Sequence, residues 1–432
     1  MPQSIAVIGA GTMGAGIAQL VAQSGCSVLM YDLKDDYIQR GLSNIRASLQ
    51  SRVDKGKLSP DDMQSTLSRI STTTDRDAAA PYDLIIEAAP ENIDLKREIF
   101  ADLGKKASPN TILATNTSSL SITSIAAASP HPECVVGLHF FNPAPVMPLV
   151  EVIAASQTSA DVVETVRTFA QSLGKTPVRA ADTPGFIVNR VARPFYTEAL
   201  KIVGEGSARV PTVDAAMRAA GFRMGPFELM DFIGIDINFA VTRSVYHAFF
   251  GEPRYRPHPI QQRMVEANTL GRKTGQGFYH YPDGARGEPA FSQTISLEHK
   301  RNVPFIPEHL TQMFLSLAGI TLPDDQPELG EIIVRILASI MNEAAFAAGE
   351  GVASVRDIDI AMKLGTNYPK GPLKWADEIG LDTVHSVLKS LMASLADPRY
   401  RPAPLLWQML RSGATGDAVG EGFHTPGEKG MV

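Results

Sequence analysis

The residue pair best suited to proton transfer is a histidine and a glutamate on either side of a proline-rich turn. The β-rich run 135–140 ends beside His139, and the next run, 149–153, carries Glu151. If the chain folds back around Pro145, the two side chains lie opposite each other on neighbouring strands. A carboxylate on one imidazole nitrogen fixes the tautomer and leaves the other nitrogen free to take a hydroxyl proton. The pattern predicts a general base for alcohol oxidation, and the alternative is a core histidine with a surface glutamate.

Two further polar groups are suited to hold a substrate oxygen as it becomes a carbonyl. Ser118 follows the β-rich run 111–114, at the carboxyl edge where doubly wound sheets bind ligands. Asn189 lies in the first turn of the helix predicted after Pro184-Gly185. The alternative for Ser118 is a helix N-cap, and the alternative for Asn189 is a packing residue between domains.

A glycine-rich turn between the first strand and the first helix predicts a dinucleotide site. Glycines permit the tight turn, the approach of pyrophosphate to the backbone and close helix–strand packing. The second strand ends at Asp32, where a carboxylate can take the ribose hydroxyls and repel a 2′-phosphate, so NAD is favoured over NADP. A structural turn with a surface aspartate and an FAD site are the alternatives. The turn consists of Gly9, Ala10, Gly11, Thr12, Met13 and Gly14.

The elements that must position these residues alternate between short β-rich runs and helical stretches. This alternation over residues 1–183 predicts an α/β, Rossmann-type doubly wound sheet. After Asp182-Thr-Pro-Gly185 the apolar spacing becomes helical and the strand signals fade. An all-helical region is therefore expected to follow the NAD-binding domain.

The helical region occurs twice in tandem. Glu198–Gly206 matches Glu343–Gly351 at an offset of 145 residues, and Pro253–Pro257 matches Pro398–Pro402 at the same offset. We therefore predict one helical domain at 184–281, a linker at 282–329 and a second helical domain at 330–426. Two copies of this length are too few for a solenoid.

The bulk composition excludes several classes of function. The formal net charge of −6 provides no global field that would attract nucleic acid or an anionic membrane. The two cysteines, Cys26 and Cys134, lie in no metal-binding array, so no metal site is expected. Because neither a signal peptide nor a long apolar run is evident, a cytoplasmic protein without a membrane span is expected.

These residues together resemble the 3-hydroxyacyl-CoA dehydrogenase family. The resemblance is specific because ordered motifs extend over residues 1–281, and the two-copy layout is similar to the 3-hydroxybutyryl-CoA and 3-hydroxyadipyl-CoA branches. It implies NAD-dependent oxidation of an (S)-3-hydroxyacyl-CoA thioester to the 3-oxoacyl-CoA. Besides the glycine turn, the motifs are Asn116–Leu120, Leu138–Pro143, Leu149–Val152, Asp182–Arg190, Met224–Leu229 and Lys273–Tyr279.

Carried over residue by residue, the resemblance implies a role for each matching position. It makes His139 the catalytic base and Glu151 its partner, with Ser118 and Asn189 positioning the substrate. Ser48 and Lys55 fall where family members contact CoA, although Lys55 also fits a solvated helix end. The same alternative, a solvated lysine, applies to Lys96 and Lys273. Residues implied as NAD contacts, beyond the turn, are Asp32, Glu91, Lys96, Ser118, Asn142 and Lys273.

The chain departs from the family pattern at two places. Pro148 replaces a lysine that is usual in this motif, which puts in doubt a charge contact near the turn. Val334 stands in the second copy where Asn189 stands in the first, so the second copy is interpreted as structural.

Two rival functions and one assembly hypothesis follow from the sequence. The rivals are a dehydrogenase of a free hydroxy acid such as gulonate, and a non-enzymatic NAD-binding or structural protein. The assembly hypothesis is that the second helical copy packs on the first within one chain, as a pseudo-dimer, while homo-oligomers remain open. The implied partner is an acyl-CoA thioester.

Overall fold

A computed structural model describes residues 2–291 and 304–425. The chain divides into two compact units, Met1–Phe186 and Ile187–Val432. The first unit is an α/β sandwich and the second is helical, which confirms the predicted fold class.

The first unit is built on one eight-stranded sheet in the order β3-β2-β1-β4-β5-β6-β7-β8. All neighbouring strands are parallel except β6 and β7, which are antiparallel. The central strands are almost wholly apolar and buried on both faces, as expected for a parallel sheet covered by helices. The strands are β1 Ile5–Ile8, β2 Val28–Tyr31, β3 Ile70–Thr73, β4 Leu84–Glu87, β5 Ile112–Thr115, β6 Val135–Phe140, β7 Leu149–Ala154 and β8 Thr176–Ala181.

Six helices accompany the sheet. Four of them begin at a serine or asparagine whose side chain accepts a hydrogen bond from a first-turn amide, so the sequence fixes where these helices start. Because β1, β4, β5 and β6 are parallel, the loops that follow them meet at one edge of the sheet. The helices are α1 Thr12–Gln23, α2 Asp35–Asp54, α3 Pro60–Ser68, α4 Ile93–Lys106, α5 Ile122–Ala126 and α6 Ala160–Ser172.

The second unit contains two runs of helices that correspond in order and length. The first run is α7 Val188–Val191, α8 Arg193–Gly204, α9 Val210–Ala219, α10 Pro226–Ile233, α11 Ile235–Ala248 and α12 Pro259–Glu266. The second run is α14 Leu329–Gly349, α15 Val355–Thr366, α16 Pro372–Ile379, α17 Leu381–Leu395 and α18 Pro404–Arg411. The single helix α14 corresponds to α7 and α8 together.

Helix α14 is the core helix of the second run. Its length and apolar composition would allow it to cross a membrane, but 83% of its most apolar window is buried inside the protein. It also carries Arg335 and Glu343, both almost fully buried, at positions equivalent to Arg190 and Glu198 on α7 and α8. These features are typical of a helix packed inside a helical unit.

Buried ion pairs join the two helical runs, and the same pairs occur in both directions. Arg190 lies 2.8 Å from Glu343, and its sequence equivalent Arg335 pairs with Glu198, the equivalent of Glu343. The phenol of Tyr255 donates to Glu343 at 2.6 Å. Its equivalent Tyr400 donates to Glu198 in the same way. Each carboxylate is therefore satisfied by an arginine and a tyrosine, as burial of a charge requires.

The segment between the helical runs is not wholly an unstructured linker. Within the predicted linker 282–329, helix α13 spans Glu308–Leu317 and packs on α14 and α17. This part of the predicted linker is therefore helical. The stretch 292–303 and the predicted end of the second copy at residue 426 lie outside the described residues.

Candidate active site

The histidine and the glutamate predicted to face each other are paired across two strands. His139 on β6 and Glu151 on β7 are register partners in the antiparallel ladder. The His139 Nδ1 and Glu151 Oε2 atoms are 2.7 Å apart, and the glutamate side chain is 0% exposed. The proline-rich turn thus performs the reversal around Pro145 that the sequence predicts. A fully buried carboxylate in this position fixes the imidazole orientation.

The imidazole is packed so that one ring nitrogen remains for chemistry. Its ring centroid lies 4.5 Å from that of Phe141 and 6.0 Å from that of Phe186, and the residue is 6% exposed. Nδ1 is taken by Glu151, and Nε2 makes no hydrogen bond with any residue described in the first unit. Nε2 is therefore the atom that can accept a proton from a substrate hydroxyl.

Asn116 ties the end of β5 to the end of β6. Its side-chain oxygen accepts a hydrogen bond from the Phe140 amide at 2.8 Å, next to His139 in sequence. The loop after β5 is thereby held against the strand that carries the histidine. This tie was not predicted from sequence, although Asn116 stands in the quoted motif.

Ser118 and Glu91 belong to one hydrogen-bonded loop cluster. Glu91 accepts from the Thr117 hydroxyl at 2.6 Å and from the Ser118 amide at 3.1 Å, with Ser119 at 3.2 Å. The Ser118 hydroxyl is 3.4 Å from the same carboxylate oxygen. The structure therefore brings the predicted residues Glu91 and Ser118 together at the ends of β4 and β5.

Lys96 is held inside the protein by Glu87, a buried carboxylate that was not predicted from the sequence. Its ammonium lies 2.6 Å from Glu87 and 3.6 Å from Glu91, and its side chain is 1% exposed. Glu87 also accepts hydrogen bonds from Thr115 and from the Ala89 amide, both at 2.6 Å. The sequence feature that could have indicated this buried pair is a glutamate at the end of the apolar run Leu84–Glu87. Lys96 thus orders the loop that carries Glu91.

The glycine turn is shaped as a phosphate cradle. Gly9 has φ +108°, and a Cβ there would lie 2.7 Å from the Ala88 carbonyl oxygen. A Cβ on Gly14 would lie 1.9 Å from the Gly9 oxygen, whereas one on Gly11 would meet nothing within 4 Å. The two outer glycines thus permit the turn and the packing of α1, while the middle one faces open space. The first turn of α1 has no side-chain cap and no acidic residue.

Asp32 closes the other side of this cradle. Its carboxylate accepts hydrogen bonds from the Ala10 and Leu33 amides, both at 2.7 Å. The donor set therefore fits a dinucleotide: free helix-terminal amides for the pyrophosphate and a carboxylate beside them for the ribose. Among the turn residues, Ala10 is buried, Met13 is half-buried and Thr12 is exposed.

The other predicted contacts of the first unit are exposed. Ser48 lies on the solvent side of α2, and Lys55 caps the end of that helix. Asn142 is exposed at the start of the proline-rich turn and is joined to Pro143 by a cis peptide bond. The described residues contain no group of acidic, histidine or cysteine side chains that could hold a metal ion.

Two predicted site residues belong to the helical unit. Asn189 is half-buried on α7, and its carbonyl oxygen accepts a hydrogen bond from the Arg193 Nε at 2.7 Å. Lys273 is 42% exposed and forms an ion pair with Asp236 at 2.6 Å. Arg193 was not singled out from sequence, since an arginine near a helix start is usually a surface residue.

Comparison with known proteins assigns the chain to a family. The model of the 3-hydroxyacyl-CoA dehydrogenase NAD binding domain matches residues 4–183. The model of the C-terminal domain of the same family matches residues 185–281 and 330–425. Two separate matches of one domain model agree with the internal repeat.

Curated and solved relatives extend over nearly the whole chain. The chain is 42% identical to 3-hydroxyadipyl-CoA dehydrogenase of Escherichia coli, covering 95% of this chain and 98% of that protein. A crystal structure of 3-hydroxybutyryl-CoA dehydrogenase from Escherichia coli is similar with TM-score 0.83 and 40% identity, covering 96% and 99% of the two chains. A probable 3-hydroxybutyryl-CoA dehydrogenase of Deinococcus radiodurans is 45% identical over 64% of this chain and 99% of its own.

These matches establish the chemistry at the level of the family. They support NAD as the cofactor and the oxidation of 3-hydroxyacyl-CoA as the reaction class, within fatty-acid metabolism. The chain belongs to the 3-hydroxyacyl-CoA dehydrogenase family and is an NAD-dependent oxidoreductase.

Proposed function

We propose that this enzyme oxidises the 3-hydroxyl of an (S)-3-hydroxyacyl-CoA with His139 as the general base. The observation that carries the proposal is the pair of His139 with the fully buried Glu151 at 2.7 Å. Nε2 takes the hydroxyl proton, and the carboxylate stabilises the resulting imidazolium. NAD, when bound, accepts the hydride that leaves C3, the carbon that bears the hydroxyl.

The glycine turn and Asp32 are the residues that would hold NAD. The open space at Gly11 and the uncapped first turn of α1 support a pyrophosphate there, because helix N-termini favour anions. Asp32 would bond the ribose hydroxyls. Glu91, Asn142, Lys96 and Lys273 are proposed to act near the cofactor, Lys96 by ordering Glu91, since its own ammonium is already occupied.

Ser118 and Asn189 are proposed to position the substrate oxygen. Ser118 stands in the loop that is tied to the β6 end through Asn116. An amide and a hydroxyl stabilise the developing carbonyl by hydrogen bonds. Ser48 and the Lys55 ammonium are proposed to contact the CoA moiety, whose phosphates suit a lysine.

The experiment is a comparison of thioester and free-acid turnover with NAD. We expect NADH formation from 3-hydroxybutyryl-CoA or 3-hydroxyadipyl-CoA and little from free 3-hydroxybutyrate or gulonate. Lys55→Met should raise KM for the thioesters, and Lys57→Met, a neighbouring exposed lysine, serves as the matched control. Faster turnover of a free hydroxy acid would favour the rival function and contradict the proposal.

We also propose that the two helical copies form a pseudo-dimer within one chain. The reciprocal buried pairs Arg190–Glu343 and Arg335–Glu198 support this, because a twofold arrangement makes each contact twice. In this proposal the second copy carries no catalytic site, as Val334 in place of Asn189 indicates. Separately, we propose that the protein is cytoplasmic and has no nucleic-acid or membrane partner.

A further inference from the structure

One buried arginine of the helical unit lacks the carboxylate partner that its neighbours have. Arg193 is 4% exposed, and no aspartate or glutamate pairs with it among the residues described in 2–291 and 304–425. The other deeply buried arginines, Arg190, Arg254 and Arg335, each pair with a buried glutamate. A buried charge without a counter-ion is costly, so an unpaired arginine indicates that a ligand supplies the anion.

The contacts that Arg193 does make hold its guanidinium in place without neutralising it. Nε donates to the Asn189 carbonyl at 2.7 Å, and Nη1 donates to the Thr242 hydroxyl at 3.0 Å. The guanidinium carbon lies 5.0 Å from the centre of the Tyr196 ring. Burial lowers the pKa of Arg193, and Tyr196 and Tyr368 act against that shift. The ordinary pKa of arginine is high enough for the side chain to stay charged.

A buried phenol without a partner lies near this arginine. The Tyr368 hydroxyl makes no hydrogen bond within the described part of the chain, and Tyr368 acts electrostatically on Arg193. The Tyr368 ring lies 5.9 Å from the ring of Phe195, which is two residues after Arg193 on α8. A phenol and a guanidinium are both donors, and a carboxylate has the acceptors to satisfy them together.

The second helical copy shows that the fold does not require this polar group. Arg193, Thr242, Asn238 and Gln261 are linked on the first copy, with Gln261 donating to Asn238 at 2.8 Å. Their sequence equivalents on the second copy are all apolar, namely Ala338, Leu388, Val384 and Leu406. The polar group is present only in the copy that also carries Asn189. It therefore serves a function specific to the first copy.

We infer that Arg193 binds the terminal carboxylate of a dicarboxylic acyl chain and selects such substrates, with Tyr368 of the second copy as a second donor. The inference rests on the proposed function, because Asn189, whose carbonyl Arg193 holds, is there the substrate-positioning residue. The chemical class is a 3-hydroxyacyl-CoA with a second carboxylate at the end of a short chain. The second copy thus contributes to specificity as well as to packing.

The test compares three thioesters: 3-hydroxyadipyl-CoA, its uncharged length match 3-hydroxyhexanoyl-CoA, and 3-hydroxybutyryl-CoA. The wild-type enzyme should have a kcat/KM at least about 10-fold higher for the adipyl ester than for the hexanoyl ester. Arg193→Met should lower that ratio by about 10- to 100-fold, the usual range for a charge-assisted hydrogen bond. The ratio is insensitive to the folded fraction, so partial misfolding of the variant does not affect it.

Three further variants separate binding from positioning. Arg193→Lys should retain part of the adipyl preference, because it keeps the charge, and Tyr368→Phe should reduce the preference by several-fold. Arg243→Met, on the exposed side of α11, is the control and should leave the ratio unchanged. An unchanged ratio in Arg193→Met overturns the inference. An equal loss on all three esters also overturns it, since Arg193 would then act on a CoA phosphate or only on Asn189.

The outcomes also distinguish this inference from the proposed function. If no thioester is oxidised, the proposed function fails and the inference with it. If the thioesters are oxidised and the wild-type enzyme does not prefer the charged chain, only the inference fails.

Discussion

Among single residues, Asp32 is a charge that the backbone holds in place. Asp32 is held by two amides beside the glycine turn, so its carboxylate cannot move away from a bound ribose without losing both bonds. Its negative charge opposes a 2′-phosphate directly. We therefore propose that the choice between NAD and NADP depends mainly on this one side chain.

The first prediction concerns this side chain. Asp32→Asn removes the charge and keeps an oxygen for one of the two amide bonds, because the Ala10 and Leu33 amides donate to different carboxylate oxygens. Relative kcat/KM for NADP over NAD should rise by about 10-fold, the scale of one charge-assisted hydrogen bond. Steady-state kinetics with both nucleotides measure it, with Asp36→Asn, on the exposed start of α2, as the control. A wild-type preference for NADP would contradict the assignment.

Some contacts of the candidate site could be predicted from the sequence, and others could not. The proline-rich turn made the His139–Glu151 pairing predictable, because antiparallel register follows from the turn centre. The burial of Lys96 was not predictable, since its partner Glu87 ends an otherwise apolar strand and becomes a partner only in the folded sheet. Arg193 was missed for the same reason, because its lack of a carboxylate is a property of three-dimensional packing.

Among the helices, the two copies are joined by ion pairs whose carboxylates differ in exposure. Glu343 is 1% exposed and bonds Arg190, Arg254 and Tyr255. Glu350 also faces Arg190 but is 43% exposed. Removing a buried partner leaves a charge without compensation, whereas an exposed one is replaced by water.

The second prediction follows from this difference. Glu343→Gln should lower the free energy of unfolding by about 3–5 kcal/mol, since two arginines lose their buried counter-ion. Glu350→Gln should lower it by no more than about 1 kcal/mol. Urea unfolding of both variants provides the measurement. Equal effects of the two substitutions would show that the buried network does not stabilise the helical unit.

A histidine in the second copy replaces a tyrosine of the first. Tyr279 donates to Asp214 at 2.7 Å. Its equivalent His424 lies 3.2 Å from Asp359 and 3.0 Å from Asp377 and is 1% exposed. Burial opposes protonation of His424, but the two carboxylates outweigh it and raise the pKa to about 9. In the first copy, where a neutral tyrosine takes the place of the histidine, burial raises the pKa of the Asp214 carboxyl to about 7.

The third prediction is a pH dependence of stability that originates at His424. Its folded pKa lies above the ordinary 6.5, so the stabilisation is complete below pH 6.5 and is lost as the pH rises towards 9. The loss is at most about 3 kcal/mol. His424→Tyr should flatten the stability curve over this interval, and His309→Tyr, an exposed control, should not. Melting temperatures across the interval decide it, and an unchanged slope in His424→Tyr would refute the assignment.

For the chain as a whole, the repeat could be recognised from sequence because its register is constant to within one residue over both copies. What sequence could not give was the structure between the copies. Helix α13 occupies part of the predicted linker and packs on the second run, so this segment adds to the helical core. In a segment rich in proline and charge, the local sequence pattern alone does not distinguish a short helix from a loop.

The fourth prediction concerns the pseudo-dimer. Ending the chain after Tyr281 removes the buried partners of Arg190 and Glu198 and exposes the apolar face of α8. The truncated protein should aggregate or dimerise, because a second copy of the chain can supply the lost contacts. Light scattering and activity measurements test this, and a stable, active monomer would contradict the pseudo-dimer.

We propose that a single base, His139, takes the substrate proton. The most direct measurement is the single-turnover rate of NADH formation by the full chain with a saturating 3-hydroxyacyl-CoA, for the wild type and for His139→Gln. We expect the variant's rate to be lower by about 100-fold or more with nearly unchanged NAD affinity, because the general base is lost while the nucleotide cradle is intact. A rate for His139→Gln close to that of the wild type would contradict it.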